Sequence, residues 1–308
     1  MKKLLVLFVA LFAISSMSNI YAFDFKIEAE TDSCNDDKWD FKDWVKYRKA
    51  TFEALYIFSN ASYSEKAFPG KFAKQAGVEI RLGHNGIRSL LEEPSIVKHD
   101  YTYFFVSNIN PNFGMKRKDT TEVEFESWRF GFANSDGYGY KTGDNSALLF
   151  YHSMSINWNK LQFFQKFFNT TGVPLPKSDS LARPSPAIDV FGDQLRLGNS
   201  FEGGIRFVVF ENLAITAGYE RQIIYPRNMF WYWLGSGFIE GVAHGITDFI
   251  KVPIVKKAPK LAPVLIFLID NAISYGFYEL RRERMNWPFE TVPPLMDDGF
   301  KIGIMFQI

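Results

Sequence analysis

The last ten residues, GFKIGIMFQI (299–308), alternate to the end of the chain. Phe300, Ile302, Ile304, Phe306 and Ile308 fall on one face of a strand, and Lys301, Gly303, Met305 and Gln307 on the other. A chain that stops this way must hold its final strand in place up to the last residue. The same alternation recurs in VEIRLG (78–83), DYTYFFVS (100–107), VEFESWRFGFA (123–133), SALLFYHSMSINW (146–158) and FGDQLRLG (191–198). GGIRFVVF (203–210) and LAITAGYERQIIY (213–225) are separated only by Glu211 and Asn212 and read as a hairpin. About eight strands result, an even number.

Composition says which kind of sheet this is. Aromatic residues make up 17% of the chain, with 32 phenylalanines, yet the mean hydropathy is only −0.11. Apolar and polar residues are therefore interleaved rather than blocked, as in a transmembrane β-barrel whose lipid face and interior alternate along each strand. On strand 213–225, Leu213, Ile215, Tyr219, Ile223 and Tyr225 take the lipid side, and Thr216, Gly218, Glu220 and Gln222 the interior. Arg221 falls on the lipid side near the rim. Glu79, Arg81, Arg206 and Lys301 point inward, where acids and bases can pair.

Residues 1–22 have the layout of a secretory signal peptide, with Lys2 and Lys3 before LLVLFVALFAI and cleavage expected after Ala22. Its removal leaves 33 basic against 34 acidic side chains. Near-neutral charge and export argue against nucleic acid as a partner. Cys34 is the only cysteine, so no internal disulfide forms. An N-terminal arm and an amphipathic helix are expected within 23–77, the helix over 39–59 from Phe41, Trp44, Val45, Phe52, Leu55 and Tyr56. The polar NSDGYGYKTGDNS (134–146) reads as an outer loop, and the connection 159–187 then falls on the periplasmic side.

The terminal strand, with Phe300, Ile302, Ile304 and Phe306 at alternate sites, resembles the assembly signal of bacterial outer-membrane β-barrels, Ile308 standing where an aromatic is usual. The resemblance implies the outer membrane as location, with its lipids and the barrel-assembly machinery as partners. The fold class expected is all-β with added helices, an antiparallel barrel of about eight strands over 78–308, ten or more being the alternative. A barrel of eight is filled by side chains, which disfavours a wide pore.

Residues 226–298 are too long and too apolar for a loop. MFWYWLGSGFIEGVAHGITDFI (229–250) and LAPVLIFLIDNAISYGFYEL (261–280) flank a basic linker, KVPIVKKAPK (251–260), and form a helical insertion. Gly237, Gly241 and Gly245 recur every fourth residue and would admit another backbone. Glu240, His244 and Asp248 share the neighbouring stripe and are the candidate catalytic or metal-binding set. An ordinary polar stripe has the same spacing. In YHSMS (151–155), Ser153 and Ser155 face away from His152, which argues against a serine hydrolase on that strand. His84 and His99 are expected at loop ends. The basic runs MKRKD (115–119) and KVPIVKKAPK suit anionic head groups. No nucleotide loop or redox pair appears, so no cofactor is expected. The functions that fit are a structural, adhesive or lipid-interacting barrel, a lipid-modifying enzyme using Glu240, His244 and Asp248, or a periplasmic β-domain that binds a small apolar ligand.

Overall fold

A computed structural model describes residues 48–66, 71–90, 93–113, 123–164, 186–192 and 194–308. The signal peptide, the N-terminal arm and the basic run 115–119 lie outside the described residues. Eight antiparallel strands close into one barrel: β1 Arg48–Tyr63, β2 Gln75–Ser89, β3 Ile96–Asn110, β4 Glu124–Lys141, β5 Ala147–Phe164, β6 Leu195–Phe210, β7 Leu213–Ile224 and β8 Leu295–Gln307. Each strand pairs with its sequence neighbours, and β1 closes the sheet on β8, with Tyr56 opposite Ile302. The terminal strand is therefore paired on both sides. Its last backbone N–H, at Ile308, donates to Ala50 O at 2.8 Å.

Three sequence expectations are corrected here. The segment 48–59 of the expected helix is strand β1. Its three-and-four spacing of Phe52, Leu55 and Tyr56 hides a period of two, with Phe52 and Phe58 exposed and Glu53, Leu55, Ile57 and Ser59 buried. Closure of the sheet, a non-local demand, decides between the two periods. The expected strands 191–198 and 203–210 are one strand, β6, so the count of eight was reached with one strand missing and one divided. Residues 134–141 are not a loop but the second half of β4. Gly137 and Gly139 fit because a Cβ at either would collide with the backbone of β5.

These corrections reverse part of the expected topology. The short connections 90–95, 142–146 and 211–212 all lie at one end of the barrel, with the start of β1 and the end of β8. The long ones join strands at the other end. Short turns belong on the periplasmic side, so β5 leaves and β6 enters at the outer end, and the connection expected in the periplasm is not there.

Inward residues fill the barrel in three layers. At the short-turn end Val97, Ala147, Leu149, Val208, Ala214 and Met305 form an apolar floor, with Tyr101, Tyr103 and Phe105 above. In the middle Glu53, Glu79, Glu202 and Glu220 face Arg81, Arg129, Arg206 and Lys301 in one continuous ion-pair network. Lys301 Nζ lies 2.9 Å from Glu79 and 3.0 Å from Glu220, and Arg129 2.6 Å from Glu79. At the outer end Phe125, Leu161, Ile224 and Leu295 pack with Ile188 and Phe191, which come from the single helical turn Pro186–Asp189 and the residues after it. Charges buried this deeply persist because each has a partner. His99, expected at a loop end, is fully buried in β3 with Nε2 2.8 Å from Arg206 Nη1, and His84 lies within β2.

Most of the outer wall is apolar. Phe52, Phe58, Val78, Ile80, Leu82, Val106, Phe130, Ile215, Phe300, Ile302, Ile304 and Phe306 are all exposed. A wall of this kind facing out and a network of paired charges facing in is a membrane-spanning barrel of the outer-membrane type.

Candidate functional site

One sector of the wall breaks the apolar rule. On the outward faces of β4 to β8 stand Asn134, Asp136, Tyr140, His152, Asn199, Gly203, Arg221 and Asp298, alternating with the inward residues named above. Against this sector lies a helical hairpin, α1 Phe230–Lys257 and α2 Ala262–Leu280, inserted between β7 and β8. The linker expected over 251–260 is mostly helix, since α1 continues through Pro253 to Lys257.

Helix α2 climbs the wall and meets the strands in order. At the short-turn end the hydroxyl of Tyr140 on β4 donates to Lys260 O, 2.7 Å away, in the hairpin bend. Next Phe267 packs on Phe150 of β5, and Ser274 Oγ lies 2.7 Å from His152 Nε2. On β6 a Cβ at Gly203 would overlap the amide of Asn271, so glycine is what lets the helix approach there. On β7 the Arg221 guanidinium sits 4.7 Å from the centre of the Tyr275 ring. On β8 the hydroxyl of Tyr278 donates to Asp298 Oδ1 at 2.6 Å. Between wall and hairpin an apolar seam gathers Leu197, Phe201, Ile223, Tyr225 and Met296 from the strands with Tyr278 and Met285. Ile223 and Tyr225 face outward as the alternation requires, but they meet protein instead of lipid.

The structure separates the three residues of the expected catalytic stripe. Glu240 is buried and pairs with Arg281 at 2.9 Å, while Arg281 also donates to Ser236 Oγ. Asp248 is largely exposed and binds Lys251 at 2.8 Å. Lys251 reaches on to Asp270 at 3.0 Å. His244 alone faces the wall, its ring stacked on that of His152 with centroids 5.6 Å apart, and its Nε2 is 3.4 Å from Ser274 Oγ. Among the described residues no group of three or more His, Cys, Asp or Glu has the arrangement of a metal site. The glycine stripe is also not a packing seam, because a Cβ at Gly237, Gly241 or Gly245 would meet nothing within 4 Å.

Sequence reasoning did not find the partners His152, Ser274, Asn271 and Lys251. The signal was present in α2: Asp270, Asn271 and Ser274 fall at helical spacing inside an otherwise apolar run. What could not be read was that the counterparts of Asn271 and Ser274, Gly203 and His152, stand on the outside of strands far away in the chain, while Asp270 pairs with Lys251 of α1.

No protein-family model matches the chain, and no curated protein matches it. Among solved structures it is similar to Neisserial surface protein A, with a TM-score of 0.36 and 11% identity over 84% of this chain and 97% of that one. It is also similar to Ail, the attachment invasion locus protein of Yersinia pestis, with a TM-score of 0.32 and 7% identity over 84% of this chain and 98% of that one.

Proposed function

We propose that this outer-membrane barrel carries no solute and works through its outer wall, in a structural and lipid-interacting role. The observation behind this reading is the filled interior: an apolar floor, an eight-member ion-pair network and an apolar upper layer occupy the lumen in sequence. A solute would have to part buried charges whose separation costs several kcal/mol. A lumen so packed also offers no chamber for a small apolar ligand. What differs from a plain wall is the polar sector and the hairpin on it. Reconstituted in planar bilayers, the protein is expected to give no steady conductance, and an ohmic open-channel step would overturn the reading.

A second reading is a lipid-modifying enzyme, favoured by the contact of the Ser274 hydroxyl with His152 at 2.7 Å and its approach to His244 at 3.4 Å. A serine beside an imidazole can act as a nucleophile once substrate reaches it. Both Ser274 and His152 are buried, so the hairpin would have to open first. Release of fatty acid from phospholipid vesicles that is lost in Ser274→Ala and in His152→Gln would establish this reading. Equal behaviour of wild type and both variants would end it.

A further inference from the structure

We infer that the α1–α2 hairpin lies in the hydrocarbon of the bilayer, laid along the barrel's outer wall over its whole height, with lipid acyl chains covering its exposed face. This inference rests on the reading that the outer wall is the working surface, and it goes further by assigning the hairpin's solvent.

The first observation is that the hairpin is inside out by the standard of a water-soluble helix pair. Soluble helices bury their apolar stripe and expose the polar one. Here the exposed residues of α1 from Phe230 to Ile250 are Phe230, Trp231, Tyr232, Leu234, Gly237, Phe238, Gly241, Val242, Ile246, Asp248, Phe249 and Ile250. Asp248 is the one charge among them, and it pairs with Lys251. The exposed residues of α2 are Leu265, Leu268, Ala272, Tyr275, Gly276 and Leu280, with no charge at all. The buried residues include Ser236, Glu240, Thr247, Asp270 and Ser274. Phe249 is 82% exposed and Phe238 71%. Water would not tolerate so large an apolar surface on one face of a hairpin.

The second observation is continuity. The hairpin is not a cap on the barrel mouth. Its bend touches Tyr140 near the short-turn end of β4 and its α2 touches Asp298 near the outer end of β8, so it runs the length of the lipid-facing wall. At about 1.5 Å per residue α1 is about 42 Å long and α2 about 28 Å, against a hydrocarbon core of about 30 Å. Where the hairpin covers the wall, outward polar groups such as His152 and Asp298 stand beside an apolar seam and find partners on α2. Where the wall is bare it carries Phe, Ile, Leu and Val. The apolar surface that the covered strands give up reappears on the outside of the helices.

The third observation is the chemistry of the two ends. Phe230, Trp231, Tyr232 and Trp233 stand together at the outer end of α1, a position suited to an aromatic interface belt. Lys256, Lys257 and Lys260 are exposed at the bend, at the level of the periplasmic head groups. Among the described residues no helix is long and apolar enough to cross a membrane alone. These two do not stand alone, because the barrel wall satisfies their polar faces.

The test uses the full chain in phospholipid vesicles, with Cys34→Ser as background and single replacements Phe238→Cys, Val242→Cys, Ile246→Cys and Leu268→Cys, all at exposed positions. Glu283→Cys, at an exposed position beyond α2, is the control. Loss of reaction with a membrane-impermeant maleimide at the four sites, with full reaction at the control, is expected. A fluorophore attached there in detergent before reconstitution is expected to be quenched by brominated acyl chains. Reaction at all four sites would overturn the inference, as would efficient cross-linking between two copies of the Val242→Cys variant through that position, since the face would then be covered by protein. Hydroxyl-radical footprinting of the unsubstituted protein gives the same answer without variants: oxidation of Phe238 and Phe249 at the rate of loop residues would sink it. Barrel conductance is a separate measurement, so the inference and the functional reading can fail independently.

Discussion

The barrel has two outer walls made from one kind of strand. On β8, β1 and β2 the outward positions carry runs of large apolar side chains, as in Phe300, Ile302, Ile304 and Phe306 or Val78, Ile80 and Leu82. On β4, β5 and β6 the equivalent positions include Asn134, Asp136, His152, Asn199 and Gly203. The difference is what lies against them. A bare strand must solve its contact with hydrocarbon locally, residue by residue, so its pattern is visible in the sequence. A covered strand can hand that task to a helix and keep polar groups outside, provided each finds a partner. The lesson is that alternation reports the phase of a strand more safely than the solvent on either side of it.

Two substitutions sharpen this contrast, the larger first. Ile302→Arg places a charge near the middle of β8 on the bare wall and is expected to destabilise the folded protein by about 2–4 kcal/mol. Urea unfolding in vesicles, followed by the folded-to-unfolded gel shift, measures it. A loss no greater than that of Ile302→Ala would mean that the bare wall does not meet lipid. On the covered wall, Tyr278→Phe removes the donor to Asp298 and is expected to cost about 1.5 kcal/mol. Its effect should appear as faster proteolysis within 226–294 while the barrel's gel shift is kept. A change in the barrel instead of the hairpin would show that the two do not respond separately.

Strand β1 apart, the bare wall was the more legible part of the fold. Strand β8, the Glu211–Asn212 turn and the inward set Glu79, Arg81, Arg206 and Lys301 could all be placed from alternation alone. Strand β1 could not, because Phe52, Leu55 and Tyr56 satisfy a helical period, and only the partner β8, some 240 residues away, selects the strand. The second half of β4 was hidden for a related reason. Its outward residues are polar because α1 and α2 cover them, and its inward glycines relieve crowding against β5, so the segment has the composition of a loop. At the candidate site, His244 was found by its place on a polar stripe. Its neighbours His152 and Ser274 were not, since a contact across helix and strand leaves no spacing to read.

The hairpin enters the chain between the last two strands, and its bend carries Lys256, Lys257 and Lys260 beside the short-turn end of the barrel. A protein arriving from the periplasm can leave that cationic tip where it started while β7 and β8 draw the two helices upward by their other ends. None of these three lysines then has to travel through oil. The same wiring ties both ends of the hairpin to the neighbouring strands β7 and β8, so the helices stay tethered to the wall they cover.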